Sequence, residues 1–274
     1  MFDYLVIGHL TADLQEDGSV RTGGTALYAA LTAYQLGATV AILTTAAPDL
    51  DRTILPSDIA VMLLPAGVST TFRNTYHDNI RTQFMYHRAP PLTEEELTLA
   101  PPARVVHLGP VANEVPPVVP AGLSERFVGL TAQGLLRSVG PDRQVLTDPT
   151  LLRRLPFTGI DAMVLSEEDV NFDEDSVFAA TKRVPIVALT RAERGATIWY
   201  RSERFEVPAY TANVVDPTGA GDVFATAFFL ALEAGEDPVA AAGRACAAAS
   251  CVIEGIGVET LPTRAAVEAR MARG

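Results

Sequence analysis

The amino-acid sequence predicts an α/β protein that forms a single domain over residues 1–274. Apolar, strand-like runs alternate with Ala-rich helical runs along most of the chain, and this alternation is typical of a parallel sheet covered by helices. Between residues 69 and 88 the apolar residues recur at every second position instead, which indicates a hairpin in a separate small sheet. A chain of 274 residues is long enough for a full hydrophobic core.

Composition and charge narrow the class of protein further. The chain is 48% hydrophobic and 20% charged, as in soluble globular proteins. No apolar run approaches the length of a membrane span, and the N-terminus begins with strand-like residues rather than a signal peptide. The net charge of −12 argues against a nucleic acid or an anionic membrane as partner, because both are bound by Lys and Arg. We therefore expect a cytoplasmic protein.

The two cysteines predict no disulfide. Cys246 and Cys251 lie on one predicted helix, and their spacing separates the Cα atoms by more than the roughly 7 Å that a disulfide tolerates. We expect buried thiols in a reducing compartment.

The N-terminal part predicts a first βα unit. An apolar strand covers residues 4–8, and Asp13 follows just past its carboxyl end, where open α/β sheets bind ligands. From spacing alone, a turn residue is the simpler explanation of Asp13. The glycine pair 23–24 then opens an Ala-rich helix that Gly37 closes, and the strand 39–44 follows. Close packing of the helix explains most of this segment.

The hairpin between residues 69 and 88 consists of two alternating strands, 70–76 and 81–87, with a turn at 77–79. Its aromatic side must be buried. We therefore place the hairpin in a small separate sheet, and the strand-like segment 14–21 is a candidate member of the same sheet.

Two further strands are predicted in the middle of the chain, over 104–109 and 127–132. His107 alternates with apolar residues, so we interpret it as a core histidine with its hydrogen bonds satisfied. Gln133 and Arg137 follow the second strand, where their N–H groups could donate to the hydroxyl groups of a polyol. Solvated loop residues are the simpler explanation of both.

The following part of the chain predicts two more buried strands, 161–166 and 185–190. The acidic segment 167–169 comes directly after the first, and acidic residues are in general favoured at helix N-termini. The second leads into a turn at 191–195 and then into a hairpin over 197–207.

A glycine loop, Asp-Pro-Thr-Gly-Ala-Gly-Asp at 216–222, precedes a buried helix. The first N–H groups of a helix lack intrahelical partners and carry the positive end of its dipole. The amides of Gly219, Ala220 and Gly221 could therefore converge on one anion, such as a transferring phosphate. Asp222 lies beside this cradle, where its carboxylate could accept a proton from an attacking hydroxyl. The alternative is a capping Asp after an ordinary turn.

Other motifs are absent from the sequence. It has no internal repeat, no zinc-type spacing of Cys and His, and no G-x-G-x-x-G fingerprint after the first strand. The missing fingerprint argues against a nicotinamide-dependent enzyme. The chain closes with an Ala-rich helix over 239–253, a Gly-containing loop at 254–257 and a final amphipathic helix over 263–271.

The string at 216–222 resembles the C-terminal signature of the ribokinase-like, or PfkB, carbohydrate kinases. The glycine pair 23–24 resembles the N-terminal signature of the same family, although Tyr28 stands where the sugar kinases usually carry Asn. This departure argues against ribose or fructose as substrate. The loop 110–117, the Gln133-to-Arg137 string and Tyr28 resemble a narrower branch, the prokaryotic myo-inositol kinases.

The resemblance implies a ribokinase-like three-layer α/β/α sandwich with a small β-sheet lid over the sugar site, a lid that members often also use for dimerisation. It further implies transfer of the γ-phosphoryl group of ATP to a hydroxyl of a sugar or cyclic polyol, with myo-inositol favoured. A homodimer through the lid and a small-molecule substrate are the expected partners.

The resemblance also implies roles for residues at matching positions. Asp222 is the implied base, and the amides of Gly219, Ala220 and Gly221 stabilise the transferring phosphoryl group. The candidate substrate contacts are Asp13, Gly23, Gly24, Gln133 and Arg137. The implied nucleotide contacts are Thr190, Gly195, Gly219, Gly221, Gly255 and Gly257.

The implied cofactors are ATP and Mg²⁺, with Glu168 acting on the metal through bound water. Asp216 and Thr218 occupy places that in many members help to hold a monovalent cation such as K⁺. Two positions depart from the family pattern: Leu165 replaces the Asn ahead of Glu168, and Ala192 replaces the first Gly of the nucleotide turn.

Two alternatives to a polyol kinase remain open from the sequence. The first is a kinase of the same fold that acts on a nucleoside or a vitamin precursor, whose ring requires a flat apolar pocket. The second is a non-catalytic carbohydrate-binding regulator. Leu165 and Ala192 keep this second alternative open, whereas the intact Asp222 counts against it.

Overall fold

The computed structural model of the protein describes residues 1–77, 80–119, 122–123 and 126–274. In chain order its strands are β1 (Phe2–Ile7), β2 (Thr11–Leu14), β3 (Val20–Gly23), β4 (Val40–Ala46), β5 (Ala60–Pro65), β6 (Thr71–His77), β7 (Ile80–His87), β8 (Ala103–Leu108), β9 (Phe127–Thr131), β10 (Arg137–Val139), β11 (Val145–Thr147), β12 (Ala162–Ser166), β13 (Ile186–Thr190), β14 (Ala196–Tyr200) and β15 (Glu203–Val207). Its α-helices are α1 (Thr25–Gln35), α2 (Glu94–Leu97), α3 (Glu174–Ala180), α4 (Ala220–Glu233), α5 (Pro238–Val252) and α6 (Arg264–Arg273). Short 3₁₀ helices cover Ala132–Leu136, Pro149–Arg153 and Ala192–Arg194.

The main sheet has nine strands in the order β15-β14-β13-β12-β9-β8-β1-β4-β5. From β13 to β5 every neighbouring pair is parallel, and β14 and β15 add an antiparallel hairpin at one end. Because β1 lies in the middle of this sheet, it is covered on both faces, and it is buried from Tyr4 to Ile7.

Side chains of β1 alternate between two separate hydrophobic cores. Tyr4 and Val6 pack in the core that contains residues of α1, α4 and α5, whereas Leu5 and Ile7 pack in a core on the opposite face of the sheet. This second core includes residues of α2 and α3 together with irregular segments. The alternation follows from the two-residue period of a strand, and it confirms the predicted three-layer α/β/α sandwich.

A second sheet, in the order β3-β2-β6-β7, forms the small lid. The hairpin predicted over 69–88 is confirmed as β6 and β7, while residues 78 and 79 of its turn lie outside the described part of the chain. The segment 14–21 contributes to this sheet as expected, but not as one strand, since residues 15–19 turn between β2 and β3. Gly18 adopts φ = 83° there, and the Asp17 carboxylate accepts the Ser19 amide.

The lid is seated on the loop that follows β8. Phe72 and Met85 of the lid pack with Val111 and Ala112 of that loop in a third, small cluster. One edge of the lid, β7, is covered by residues next to β11, since the Met85 amide donates to the Arg143 carbonyl at 2.9 Å. The lid therefore stands over the end of the main sheet where β8 finishes.

Two smaller expectations concern the cysteines and the membrane. Cys246 is buried, Cys251 is half-buried, and both are free thiols, as their spacing predicted. Among the described residues, the helices are too short or too polar for any of them to cross a bilayer.

Gly129 of β9 tests how tightly α4 packs on the sheet. A Cβ at this position would lie 2.6 Å from Cγ of Phe229 on α4, closer than real Cβ contacts allow. We expect Gly129→Ala to lower the free energy of unfolding by about 1–3 kcal/mol, the usual cost of overpacking a core. Urea denaturation measures this change.

The matched control is Gly243→Ala in α5, where an added Cβ meets nothing within 4 Å. Since Ala is favoured over Gly inside helices, this variant should gain about 0.5–1 kcal/mol of stability. Equal effects of the two substitutions would show that Phe229 does not restrict Gly129.

Candidate active site

The candidate site lies at one edge of the main sheet. The strands from β13 to β5 are parallel, so their carboxyl ends meet at this edge, where α/β sheets bind ligands. The residues that the sequence singled out lie in β2 and at the start of α1, at or after the carboxyl ends of β9, β12 and β13, at the N-terminus of α4, and in the loop between α5 and α6.

Both glycine signatures open helices whose N-termini are uncapped by any side chain. The N-cap of α1 is Gly24 and that of α4 is Gly219, and neither helix has a side-chain cap. By contrast, side chains cap the other four α-helices of the described chain, from Thr93, Asp173, Asp237 and Thr263. A helix start without a side-chain cap leaves room for a ligand to accept hydrogen bonds from the first N–H groups.

Gly219 adopts the left-handed conformation that the loop requires, with φ = 81°. The Ala220 amide, which the sequence placed in an anion cradle, donates to the Pro217 carbonyl at 3.2 Å within the turn. Asp222 lies in the first turn of α4 and is partly exposed. Its backbone carbonyl accepts a hydrogen bond from the Thr226 hydroxyl at 2.8 Å.

Tyr28 joins the two helix starts. A Cβ on Gly219 would lie 2.9 Å from Cγ of the Tyr28 ring, so the ring lies directly against the glycine. The Tyr28 hydroxyl is 3.8 Å from the Cβ position of Gly257, in the loop before α6. The sequence identified Tyr28 as a departure from the sugar kinases and as a point of resemblance to the myo-inositol kinases. The structure shows that this ring packs α1 against the glycine loop.

Asp216 ties the glycine loop to the C-terminal loop. Its carboxylate accepts the Thr218 amide at 2.9 Å and the Gly257 amide at 3.0 Å. The backbone amides of Val215 and Asp216 both donate to the Ile253 carbonyl. The structure therefore brings Asp216 and Thr218 of the glycine loop together with Gly257 of the C-terminal loop, which also contains Gly255.

Asp13 lies beside the glycine pair, within β2 rather than in the loop after β1. Thr11 donates to its carboxylate at 2.9 Å, and a Cβ on Gly23 would lie 2.9 Å from the Asp13 Cγ atom. In the antiparallel pairing of β2 with β3, Gly23 lies opposite Thr11, so Asp13 and Gly23 are diagonal neighbours. Asp13 is thus held against the start of α1, and the expectation that it follows the first strand directly is corrected.

Gln133 and Arg137 are partly buried and hydrogen-bonded, not solvated loop residues. The Gln133 amide donates to the Thr25 hydroxyl at 3.1 Å, at the start of α1. Arg137 donates to the Gln133 side chain at 2.8 Å and to the Val111 carbonyl at 3.0 Å. This series of bonds joins the glycine pair to the loop under the lid.

Glu114 is a site-forming residue to which sequence reasoning gave no role. It is almost fully buried, and its carboxylate accepts the amides of His9, Val111 and Ala112 at 2.6–3.1 Å. Bonds from several N–H groups satisfy a buried carboxylate. Glu114 consequently fixes the loops after β1 and β8 to each other. The only sequence signal for Glu114 was its position within the loop 110–117.

The three acidic residues after β12 have different surroundings. Glu167 is buried and pairs with Arg191 at 2.9 Å and also with Arg194. The Asp169 carboxylate accepts the Ser166 amide at 2.9 Å. Glu168 alone of the three is exposed. No group of three or more His, Cys, Asp or Glu side chains that could hold a metal ion occurs within the described ranges.

The turn after β13 contains Thr190, Ala192 and Gly195. The Thr190 hydroxyl donates to the Leu165 carbonyl at 3.3 Å. Ala192 has φ = 48°, the left-handed conformation that a glycine would adopt without strain. Gly195 is buried, and a Cβ there would lie 2.6 Å from the Ala209 amide nitrogen. The structure thus gives Gly195 a packing role and explains why the family pattern has Gly at 192.

The match to a known protein family covers the C-terminal part of the chain, which contains the glycine loop. Residues 160–264 match the pfkB family carbohydrate kinases. The chain is 30% identical over 124 residues to the bifunctional protein HldE of Mesorhizobium japonicum, covering 40% of this chain and 25% of that protein. It is 34% identical over 96 residues to a nucleoside kinase of Methanocaldococcus jannaschii, covering 34% of this chain and 31% of that kinase. The matches span about a quarter to a third of these relatives.

Similarity in three dimensions covers nearly the whole chain. A pyrophosphate-dependent kinase in the ribokinase family, solved with a pyrophosphate analogue and myo-inositol, superposes with a TM-score of 0.79. The two share 21% sequence identity, and the alignment covers 97% of this chain and 99% of the other. The fold and its edge site therefore define a ribokinase-fold protein. The resemblance of residues 160–264 to the pfkB family carbohydrate kinases agrees with this fold.

Ala192 provides a test of backbone strain in the turn after β13. Because Ala pays a steric cost at φ = 48° that Gly does not, we expect Ala192→Gly to raise the free energy of unfolding by about 0.5–1 kcal/mol. Urea denaturation again measures the change.

Ala240→Gly, at an exposed position inside α5, is the matched control and should lose about 0.5–1 kcal/mol instead. A loss of stability in both variants would show that Ala192 is not strained.

Proposed function

We propose that the protein is an ATP-dependent kinase that transfers the γ-phosphoryl group to a hydroxyl of a sugar or cyclic polyol, with myo-inositol favoured. The observation that carries this proposal is the contact of Tyr28 with Gly219, which joins two uncapped helix N-termini. Asp13 lies at the first of these helix starts and Asp222 at the second. A carboxylate for the hydroxyl groups and a base for proton transfer are thereby held on adjoining elements.

In the proposed reaction, Asp222 accepts the proton of the substrate hydroxyl as the oxygen of that hydroxyl bonds to the γ-phosphorus. The bond from this phosphorus to the β,γ-bridging oxygen breaks, and ADP leaves. The N–H groups at the start of α4 lie at the positive end of the helix dipole, where they would stabilise charge on the phosphoryl oxygens.

Mg²⁺ would neutralise part of the charge on the phosphate groups of ATP. Glu168 fits the water-mediated role, because it is exposed at the carboxyl end of β12 and such sites take only one or two protein carboxylates. For a monovalent cation such as K⁺, the Asp216 carboxylate and the Thr218 hydroxyl supply oxygen atoms in one loop.

A polyol suits the polar groups near the start of α1. Asp13, Gln133 and Arg137 offer both acceptors and donors there, which the hydroxyl groups of a polyol can pair with. The described apolar side chains on the inner face of the lid, Phe72 and Met85, are buried against the loop after β8. They are thus used in packing rather than left as a sandwich for an aromatic ring. The neighbour in fold that was solved with myo-inositol supports the same substrate class.

A nucleoside is the second candidate substrate, supported by the similarity to the nucleoside kinase of Methanocaldococcus jannaschii. Vitamin-precursor kinases and a non-catalytic regulator have no specific observation in their favour. Competition between adenosine and myo-inositol in a binding assay separates the two substrate classes, because a ring and a polyol need different pockets.

For the lid we propose a homodimer contact. β3 is the outer strand of the lid sheet on the side away from β7, and its Val20 side chain is 53% exposed. An outer strand presents unpaired N–H and C=O groups that a second chain can pair with. Analytical ultracentrifugation of the protein beside a Val20→Lys variant tests this contact, and a monomer in both samples would contradict it.

Asp222→Asn tests the catalytic assignment. We expect kcat to fall by about 10²–10⁴-fold, the usual contribution of a general base, with ATP binding and unfolding largely unchanged. The measurement is ADP release from ATP and Mg²⁺ with a panel of sugars, myo-inositol and nucleosides.

Asp175→Asn is the control, since Asp175 also lies in the first turn of a helix, α3, away from the glycine loop. This variant should keep its activity. Near-full turnover by Asp222→Asn would show that Asp222 is not the base of the reaction.

Val215→Ser tests the phosphoryl donor. The exposed apolar residues Val214, Val215 and Ile256 flank the glycine loop, on two segments that Asp216 joins. If an adenine base covers them, the loss of apolar contact should raise KM for ATP about 3–10-fold and leave KM for the polyol unchanged. Initial rates with ATP give both constants.

The same rates are measured with pyrophosphate, the donor of the neighbour in fold. Pyrophosphate has no base, so Val215→Ser should not affect its use. Val68→Ser, at an exposed residue on another loop, controls for general effects. Turnover with pyrophosphate and none with ATP would contradict the proposed donor.

A further inference from the structure

A buried polar chain connects the centre of the main sheet to the helix that carries Asp222. Tyr4 of β1, His107 of β8 and Thr226 of α4 are each fully buried, and Thr131 of β9 is 4% exposed. The Thr131 hydroxyl lies 3.0 Å from His107 Nε2, and His107 Nδ1 lies 2.8 Å from the Tyr4 hydroxyl. The Tyr4 hydroxyl is in turn 3.3 Å from Thr226 Oγ1. The predicted core histidine is thereby confirmed as satisfied.

Only one placement of hydrogens satisfies every contact in this chain. The Asp222 carbonyl can only accept a hydrogen bond, so the Thr226 hydroxyl donates its one hydrogen to this carbonyl, at 2.8 Å. Tyr4 must then donate to Thr226, and His107 must donate from Nδ1 to Tyr4. His107 Nε2 is left as an acceptor for Thr131. The hydrogen bonds therefore run in one direction, from Thr131 to Asp222.

The protonation states of His107 and Tyr4 at neutral pH agree with this direction of hydrogen bonding. Burial lowers the pKa of His107 to about 3, so the imidazole is neutral and carries a single N–H. Burial also raises the pKa of Tyr4, so its hydroxyl keeps its proton. Phe229 packs edge-on against His107, with ring centroids 5.1 Å apart, and closes the chain off from water.

The series of hydrogen bonds ends at the backbone carbonyl of Asp222. In an α-helix the carbonyl of residue 222 is also the acceptor for the backbone N–H of residue 226. The Thr226 hydroxyl adds a second donor from the same residue. The other members of the series, Tyr4, His107 and Thr131, belong to three strands of the main sheet. The series therefore anchors the first turn of α4 to that sheet.

We propose that this buried chain positions Asp222 for proton transfer, with Tyr4 and Thr226 as positioning residues. The proposal rests on the proposed function, in which Asp222 is the base. Apolar residues of similar shape would fill the same space without burying polar groups, so packing alone does not account for the four polar side chains. What apolar side chains cannot supply is a directed bond to the Asp222 carbonyl.

The kinetic test compares Thr226→Val with Thr226→Ser. The Val variant keeps the shape and loses the hydroxyl, and we expect kcat to fall about tenfold or more with KM for both substrates unchanged, because small misplacements of catalytic groups cost this much. The Ser variant keeps the hydroxyl and should retain most of kcat. Tyr4→Phe should lower kcat in the same way, and adding it to Thr226→Val should cause little further loss.

Thr32→Val is the matched control. Thr32 lies on α1, is fully buried, and its hydroxyl has no hydrogen-bond partner among the described residues. This variant should keep wild-type kcat. Equal kcat for Thr226→Val and Thr32→Val would overturn the proposal, and so would a Ser variant as slow as the Val variant.

A second measurement does not depend on catalysis. Amide hydrogen exchange of residues 223–226 should become faster in Thr226→Val and in Tyr4→Phe, and should stay unchanged in Thr32→Val. Unchanged exchange in all three variants would overturn the proposal even if the wild type turned over no tested substrate. Full activity of Asp222→Asn together with faster exchange would instead show that the assigned base, and not the anchoring, is at fault.

Discussion

The contact between the Tyr28 ring and Gly219 is the constraint on which the rest of the site depends. It sets how closely α1 approaches the start of α4, and Gly219 leaves no room there for a side chain. Asp216 fixes the glycine loop from the other side, through the Gly257 amide. With both neighbours fixed, the N-terminus of α4 is rigid before any ligand arrives, and such preorganisation is how electrostatic stabilisation becomes effective.

Much of the fold could be predicted from the sequence because its signals are local. The buried strands β1, β4, β12 and β13 appear as short apolar runs, the lid hairpin as alternation, and α4 as an apolar run after a glycine loop. The edge strand β5 and the short strands β10 and β11 escaped prediction. β5 is only half-buried, and the other two are three residues each, too short for any period to show.

The site was predictable in its residue types but not in its connections. The string 216–222 identified the loop, whereas Glu114, Tyr28 and His107 each also contact a segment far away in sequence. Glu114 bonds the amide of His9 across 105 positions, and Tyr4 reaches Thr226 across 222. Spacing along the chain carries no information about such pairs. The left-handed turn at Ala192 was likewise hidden, because alanine gives no local signal for that conformation.

The central place of β1 has a consequence for synthesis of the chain. Its Tyr4 is synthesised 222 residues before its partner Thr226. At about 5–20 residues per second, this interval lasts roughly 10–45 seconds. Until α4 is complete, the apolar face of the sheet that it covers stays open to water. Nascent chains that stop before α4 therefore leave this apolar face exposed, and exposed apolar surface favours aggregation.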